Sequence, residues 1–301
     1  MRSQYQYFAG KPFGTKSKPL QFKKLMSDNK DIYFAAVGDV HGHIYTMLGL
    51  LQSWERKHRL SLSFVLQVGD FEAHRNSEDL LTMDAPTKYK KIGDFSDFYT
   101  GKAKLPLPIW FIGGNHESYG FLDRFPFGKE IAPNFNYFGR VNLIELAGLK
   151  IVGVSGIYKH ELFQSTERPS VSEISSRSNK EYISFLESEI EQAIEYSYAD
   201  ILLLHDWASG IILPEDLDIF QRRYSNFKYE SIGNEYARLL VEALRPKLVL
   251  CGHMHLKYRS ALSFSSDVTT KICCLANVRQ GKDSLAVFRL TPELEIIEIT
   301  D

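Results

Sequence analysis

The chain has 301 residues, 36 of them basic and 37 acidic, and 44% are hydrophobic. That content excludes a disordered chain, and a net charge of −1 excludes a polybasic nucleic-acid coat. No apolar run approaches the ~20 residues of a membrane span, residues 1–30 lack an apolar signal-peptide core, and Cys251, Cys273 and Cys274 make no disulfide framework; a cytoplasmic protein is expected, nuclear if the source is eukaryotic.

Residues 1–30 carry seven basic side chains against one acid, so residues 31–301 hold 29 basic and 36 acidic groups. The first stretch reads as a basic N-terminal extension, solvated at the surface in preference to an arm that steers phosphate-rich ligands. Residues 31–301 read as one domain. Short apolar runs at 32–37, 63–68, 109–112, 151–154, 201–204 and 248–250 suit strands buried on both faces. Residues 45–57 space Met47, Leu48, Leu51 and Trp54 at helical intervals, and 182–196 do the same with Ile183, Leu186, Ile190 and Ile194. A third helix is expected over 234–244, stopping near Pro246. Runs at 272–276, 285–290 and 294–299 read as antiparallel strands completing a second sheet. Strands alternating with helices, then an all-strand tail, predict a layered α/β fold.

The chemistry sits at the ends of five of these runs. They close in Gly38-Asp39-Val40-His41-Gly42, Gly69-Asp70-Phe71-Glu72, Gly113-Gly114-Asn115-His116-Glu117, His205-Asp206 and Gly252-His253-Met254-His255. Parallel strands would deliver these side chains to one carboxyl edge, where open α/β sheets bind ligands. Asp, Asn and neutral His are oxygen and nitrogen donors for Mn, Fe or Zn, and a carboxylate can bridge two cations, as in two-metal phosphoester hydrolases. One such block alone is usually a turn; five in succession are not. Among the other histidines, His58, His74 and His160 read as surface or supporting groups, and His43 touches substrate at most.

At these residues the chain resembles the calcineurin-like metallophosphoesterase superfamily, whose five blocks all appear here in order over 38–255. The resemblance implies a four-layer αββα sandwich with two divalent metal ions (Mn, Fe or Zn) at the sheet edge. By motif, Asp39, His41, Asp70 and His255 would hold the first ion. Asp70 would bridge to the second, completed by Asn115, His205 and His253, with His116 as general acid or electrostatic stabiliser beside the phosphate. Glu117 or Asp206 would orient neighbouring imidazoles. Within the superfamily, the chain is most similar to the RNA lariat debranching enzymes over residues 65–260. That similarity includes Gly69–Ala73 with Arg75-Asn76, Ala85-Pro86 with Lys88-Tyr89, Ala132-Pro133-Asn134, residues 154–159 and His205-Asp206-Trp207. There are four departures: Asp39 where those enzymes usually carry cysteine, Ala208 where they carry proline, an N-terminal extension before a motif that in the family lies almost at the start, and no residue-by-residue match in 160–180 to the family's lariat-recognition loop.

The expected activity is metal-assisted hydrolysis of a phosphodiester in RNA, with branched RNA or a nucleotide as substrate, no membrane role, and protein partners left open. The alternatives are a metallophosphatase or nucleotide phosphodiesterase acting on small molecules or phosphoproteins, and a binding module without turnover. Residues 72–108 interleave Lys88, Tyr89, Lys90 and Lys91 with Phe95, Phe98 and Tyr99. This segment reads equally as a base-stacking, phosphate-gripping surface and as an amphipathic helix whose rings are core.

Overall fold

A computed structural model describes residues 30–168, 179–223 and 232–300. The basic extension expected over 1–30 therefore lies outside the described residues, save Lys30. In chain order the strands are β1 (Ile32–Val37), β2 (Phe64–Gln67), β3 (Ile109–Phe111), β4 (Lys129–Ala132), β5 (Phe135–Tyr137), β6 (Val141–Leu146) and β7 (Leu149–Val154). They continue with β8 (Ile201–Leu204), β9 (Leu248–Cys251), β10 (Tyr258–Ser263), β11 (Thr269–Cys274), β12 (Leu285–Leu290) and β13 (Ile296–Ile299). The helices are α1 (Ile44–His58), α2 (Phe95–Tyr99), α3 (Tyr119–Leu122), α4 (His160–Phe163), α5 (Lys180–Ile183), α6 (Glu187–Glu195), α7 (Leu217–Arg223) and α8 (Glu235–Leu244).

The strands form a seven-stranded sheet ordered β13-β12-β1-β2-β3-β5-β4 and a six-stranded sheet ordered β10-β11-β9-β8-β7-β6. Alternation along each strand explains why the two sheets stack. On β1, Phe34 and Ala36 face the second sheet, while Ala35 and Val37 face the layer containing α1. On β8, Ile201 and Leu203 face the first sheet, while Leu202 and Leu204 face the layer of α6 and α8. Side chains on both faces leave no place for polar alternation, hence the continuous apolar runs. Phe34 stacks between Phe64 and Phe288 at ring separations of 5.0 and 5.2 Å, so one aromatic row ties three strands together between the sheets. The order of layers is helix, sheet, sheet, helix.

Two expectations need correction. The final strands do not complete the second sheet. β12 pairs antiparallel with β1, and β13 with β12, so both belong to the first. Of the three expected runs only β11 joins the second sheet, antiparallel to β10 and parallel to β9. Alternating apolar residues make each strand amphipathic enough to pair but do not name its partner. The continuous helix expected over 182–196 is broken into α5 and α6. Ser184 is extended and bridges Ile157, its carbonyl accepts from Arg168 Nη2 at 2.7 Å, and Glu189 caps the Leu186 amide at 2.8 Å.

β1, β2 and β3 run parallel to one another, as do β7, β8 and β9. Their carboxyl ends carry the five polar blocks.

Candidate metal centre

The loops after β1 and β2 are stitched together by backbone. The amides of Val40 and His41 both donate to the Asp70 carbonyl, at 3.0 and 2.8 Å. The loops after β8 and β9 are joined likewise, Gly252 N donating to the His205 carbonyl at 3.1 Å. Gln67, buried at the end of β2, clamps the approach: its amide donates to the Gly38 and Gly69 carbonyls at 3.1 and 2.6 Å. His41, Asp70, His253 and His255 all adopt left-handed φ, at 45°, 51°, 66° and 49°. Such backbone is costly for a residue with a side chain and persists where the surrounding structure holds it. Glycine is needed where the loops touch. A Cβ on Gly69, whose φ is +97°, would lie 2.5 Å from His205 Nδ1, and one on Gly114 would strike the Asp70 carboxylate.

Asp39, His41, Asp70 and His255 converge, one ligand atom from each lying within 4.8 Å of all the others. His255 Nε2 is 2.9 Å from Asp39 Oδ2 and 3.0 Å from His41 Nε2. The Asp70 carboxylate divides between two groups: Oδ2 lies 3.7 Å from His41 Nε2, and Oδ1 lies 3.4 Å from His205 Nε2. Around Oδ1, His205 Nε2 is 3.1 Å from Asn115 Oδ1, and the His205 and His253 rings are 5.0 Å apart. The His116 amide donates to Asp70 Oδ1 at 2.7 Å, and the His116 ring is 5.3 Å from that of His41.

Electrostatics show what the cluster wants. Burial opposes charge on His41, yet Glu72, Asp70 and Asp39 raise its pKa to about 9. His205 rises to about 10 against the same opposition, because Asp70 and Asp39 face it. Burial works against the Asp70 carboxylate, but His205, His41 and His116 hold it well below its ordinary value. His253 is pushed down, chiefly by burial. Buried carboxylates that recruit protons onto neighbouring imidazoles are a site for positive charge. The donors are oxygens and imidazole nitrogens, so divalent cations fit both groups.

Glu117 and Asp206, expected to orient imidazoles, hydrogen-bond mainly to backbone amides, while the Asp206 charge also faces the His253 ring and works to raise it. Glu117 is fully buried and accepts the amides of Phe71 and Glu72 at 2.6 and 3.0 Å. Burial, then Asp70, push its carboxyl up to about 8. Asp206 accepts the amides of Tyr158 and Trp207 and the Asn234 side chain, at 3.2, 3.0 and 2.8 Å. The folding of the loops, not nearness in the chain, puts these carboxylates beside amides that had no other partner. The imidazoles are held instead by groups the sequence reading missed. Glu72 Oε1 is 2.8 Å from His41 Nδ1, and the Val68 carbonyl is 2.8 Å from His205 Nδ1. Each leaves Nε2 facing the cluster. An acid just after the Gly-Asp of a ligand block was the one available signal for Glu72.

His43 is exposed, His58 stacks on Trp54, and His160 is exposed beside the Tyr158 hydroxyl. His74, read as a surface or supporting group, is fully buried. Lys88 and Tyr89 lie exposed on a short 3₁₀ turn, with Lys88 Nζ 4.7 Å from the Tyr89 ring centre, and Lys90 is half-buried. The later rings of the segment divide: Phe95 and Phe98 are core, whereas Tyr99 packs edge-on to Phe121. The segment is pinned to the first ligand loop where Asp94 N donates to the Gly42 carbonyl at 2.8 Å.

The family described as Calcineurin-like phosphoesterase matches residues 32–257. Among curated proteins, the chain is 36% identical to a lariat debranching enzyme of Entamoeba histolytica, over 76% of this chain and 65% of that protein. It is 30% identical to a lariat debranching enzyme of Arabidopsis thaliana, over 86% of this chain and 63% of that protein. The chain thus spans just under two thirds of the length of these relatives. One solved structure, 10% identical, superposes with a TM-score of 0.52 and covers 90% of this chain and 99% of its own, a likeness of fold alone. No helix among the described residues is long and apolar enough to cross a membrane.

Proposed function

Because the chain belongs to the calcineurin-like phosphoesterase family, we propose that it is a dinuclear-metal-dependent phosphodiesterase acting on RNA and cutting at 2′–5′ branches. The observation that carries this reading is the division of one buried carboxylate, Asp70, between His41 on one side and His205 on the other. Similarity to lariat debranching enzymes over most of the chain supports the substrate. Residues 31–301 act as one catalytic unit, with 1–30 as an extension. Three free, buried cysteines favour a reducing cytoplasmic or nuclear compartment.

Asp39, His41, Asp70 and His255 would hold one cation, and Asp70, Asn115, His205 and His253 the other, the candidates being Mn, Fe and Zn. When bound, two such cations supply Lewis acidity toward phosphoryl oxygens and make water a nucleophile near neutral pH. The protein does the rest. Glu72 and Val68 fix the ring orientations of His41 and His205. Asp70 fixes the His116 backbone, and the His116 imidazole delivers a proton to the leaving oxygen. Lys88, Tyr89 and Lys90 grip and stack on the nucleotides flanking the scissile bond.

A second reading, hydrolysis of small nucleotides or phosphoproteins, is favoured by the acidic balance of residues 31–301, which suits long nucleic acids poorly. The test is cleavage of a synthetic 2′–5′ branched RNA beside its linear 3′–5′ counterpart and a generic diester, with Mn²⁺, Fe²⁺ and Zn²⁺ in parallel. Selective cutting at the branch, abolished in Asp70→Ala, is expected. Hydrolysis of the generic diester alone selects the second reading. Near-normal activity in folded Asn115→Ala overturns the metal assignment.

A further inference from the structure

The His74 imidazole is fully enclosed, and neither ring nitrogen has a hydrogen-bond partner among the described residues. It lies beside Glu72, with His74 Nε2 3.7 Å from Glu72 Oε2. The other oxygen of the same carboxylate meets His41 Nδ1 at 2.8 Å. Glu72 therefore stands between two imidazoles, one facing the candidate metal cluster and one sealed in the protein. The chain is committed to this placement. Glu72 adopts a left-handed φ of 60°, its amide is held by Glu117 at 3.0 Å, and its carbonyl accepts the His74 amide at 2.8 Å.

A ring of this polarity does not serve as plain packing, because an apolar side chain would fill the space without two unsatisfied nitrogens. The 3.7 Å separation exceeds a hydrogen bond, and a small turn of either side chain closes it. With an Nε2–H of His74 on Oε2, the Glu72 carboxylate is fixed in one orientation and Oε1 stays aimed at His41 Nδ1. His41 then carries its proton on Nδ1 and presents the Nε2 lone pair to Asp39, Asp70 and His255.

We infer that His74 is a positioning residue that acts through Glu72 to hold His41 in the tautomer and orientation that bind a divalent cation. The inference rests on the metal-site reading of the proposed function.

The experiment compares wild type, His74→Phe, which keeps a ring and removes both nitrogens, and His74→Gln, which keeps a donor. Two quantities are measured on the full chain: Mn²⁺ affinity by calorimetry, and the tautomer of His41 from side-chain ¹⁵N shifts of the metal-free protein, recorded above the raised His41 value of about 9, where the ring is neutral. His74→Phe is expected to weaken Mn²⁺ binding about tenfold and to mix the His41 tautomers, with His74→Gln restoring most of both. In a Glu72→Gln background, His74→Phe should add nothing further. Unchanged Mn²⁺ affinity and unchanged His41 shifts in His74→Phe, even with lowered thermal stability, overturn the inference and leave the metal reading standing. Wild type that binds no Mn²⁺, with His41 shifts still altered by His74→Phe, sinks the metal reading and with it the His74 role in metal binding. Should His74→Phe not fold, the His41 shifts of His74→Gln and Glu72→Gln decide: wild-type-like in the first and altered in the second supports the inference, and any other pattern overturns it.

Discussion

Glu117 reaches back 46 residues to accept the backbone amide of Phe71 at 2.6 Å, so the loop after β3 holds the loop after β2. A second oxygen takes the Glu72 amide at 3.0 Å, and the Gly114 amide approaches at 3.4 Å. Removing the carboxylate strands these donors in a dry interior. Glu117→Ala is expected to lose about 2–4 kcal/mol of stability in urea titration, and Mn²⁺ affinity should fall with it, because Asp70 and Glu72 flank the amides it holds. Full stability would mean that water replaces the carboxylate.

His116 is half-buried beside His41, and its backbone is anchored by Asp70. His116→Ala should lower turnover of the cleaved phosphoester by roughly 10²–10⁴-fold, the range for a general acid, with the melting temperature unchanged. A drop confined to KM would reassign the ring to substrate binding.

Removing divalent metal with a chelator should abolish hydrolysis and lower stability together. A cation present at a hundred times its Kd stabilises the fold by about 2.7 kcal/mol, or roughly 5 °C in melting temperature for a chain of this size. Calorimetric scans with and without Mn²⁺ read the shift. Asp39→Ala and Asp70→Ala should each shrink it.

Glu189 is buried, takes Arg168 through both oxygens at 2.7 and 2.6 Å, and caps the Leu186 amide. Burial opposes its charge, but Arg168 outweighs burial and the carboxyl stays below its ordinary value. A depressed carboxyl contributes stability above its unfolded pKa, and that contribution is lost as pH falls through the lower folded value. Glu189→Gln should therefore cost about 3 kcal/mol at neutral pH. The gap from wild type should narrow as pH drops below about 4.3. A gap independent of pH would show that the amide cap, not the ion pair, dominates.

Tyr89 is 57% exposed, so Tyr89→Ala should change stability by less than about 0.5 kcal/mol. If the ring stacks on a base, branched-RNA binding should weaken by about 1–3 kcal/mol. Unchanged affinity in a gel-shift titration would return the segment to a purely structural role.

Sequence alone determined where the ligand blocks lie. An apolar run ending in glycine and an acid, asparagine or histidine is a local pattern, and strand ends are local events. The same holds for α1 and α8, whose apolar stripes follow one period, and for Asn234, whose side chain caps α8 at the Ala237 amide. Tertiary structure decided which groups support those ligands and which sheet the last strands join. Glu72 meets His41 across 31 residues, and the Val68 carbonyl meets His205 across 137. β12 finds β1 from the far end of the chain. These pairings depend on how layers stack and on which buried donor lacks a partner once they have. Periodicity records neither quantity, since a strand's continuous apolar run shows that it buries two faces and not what lies against them.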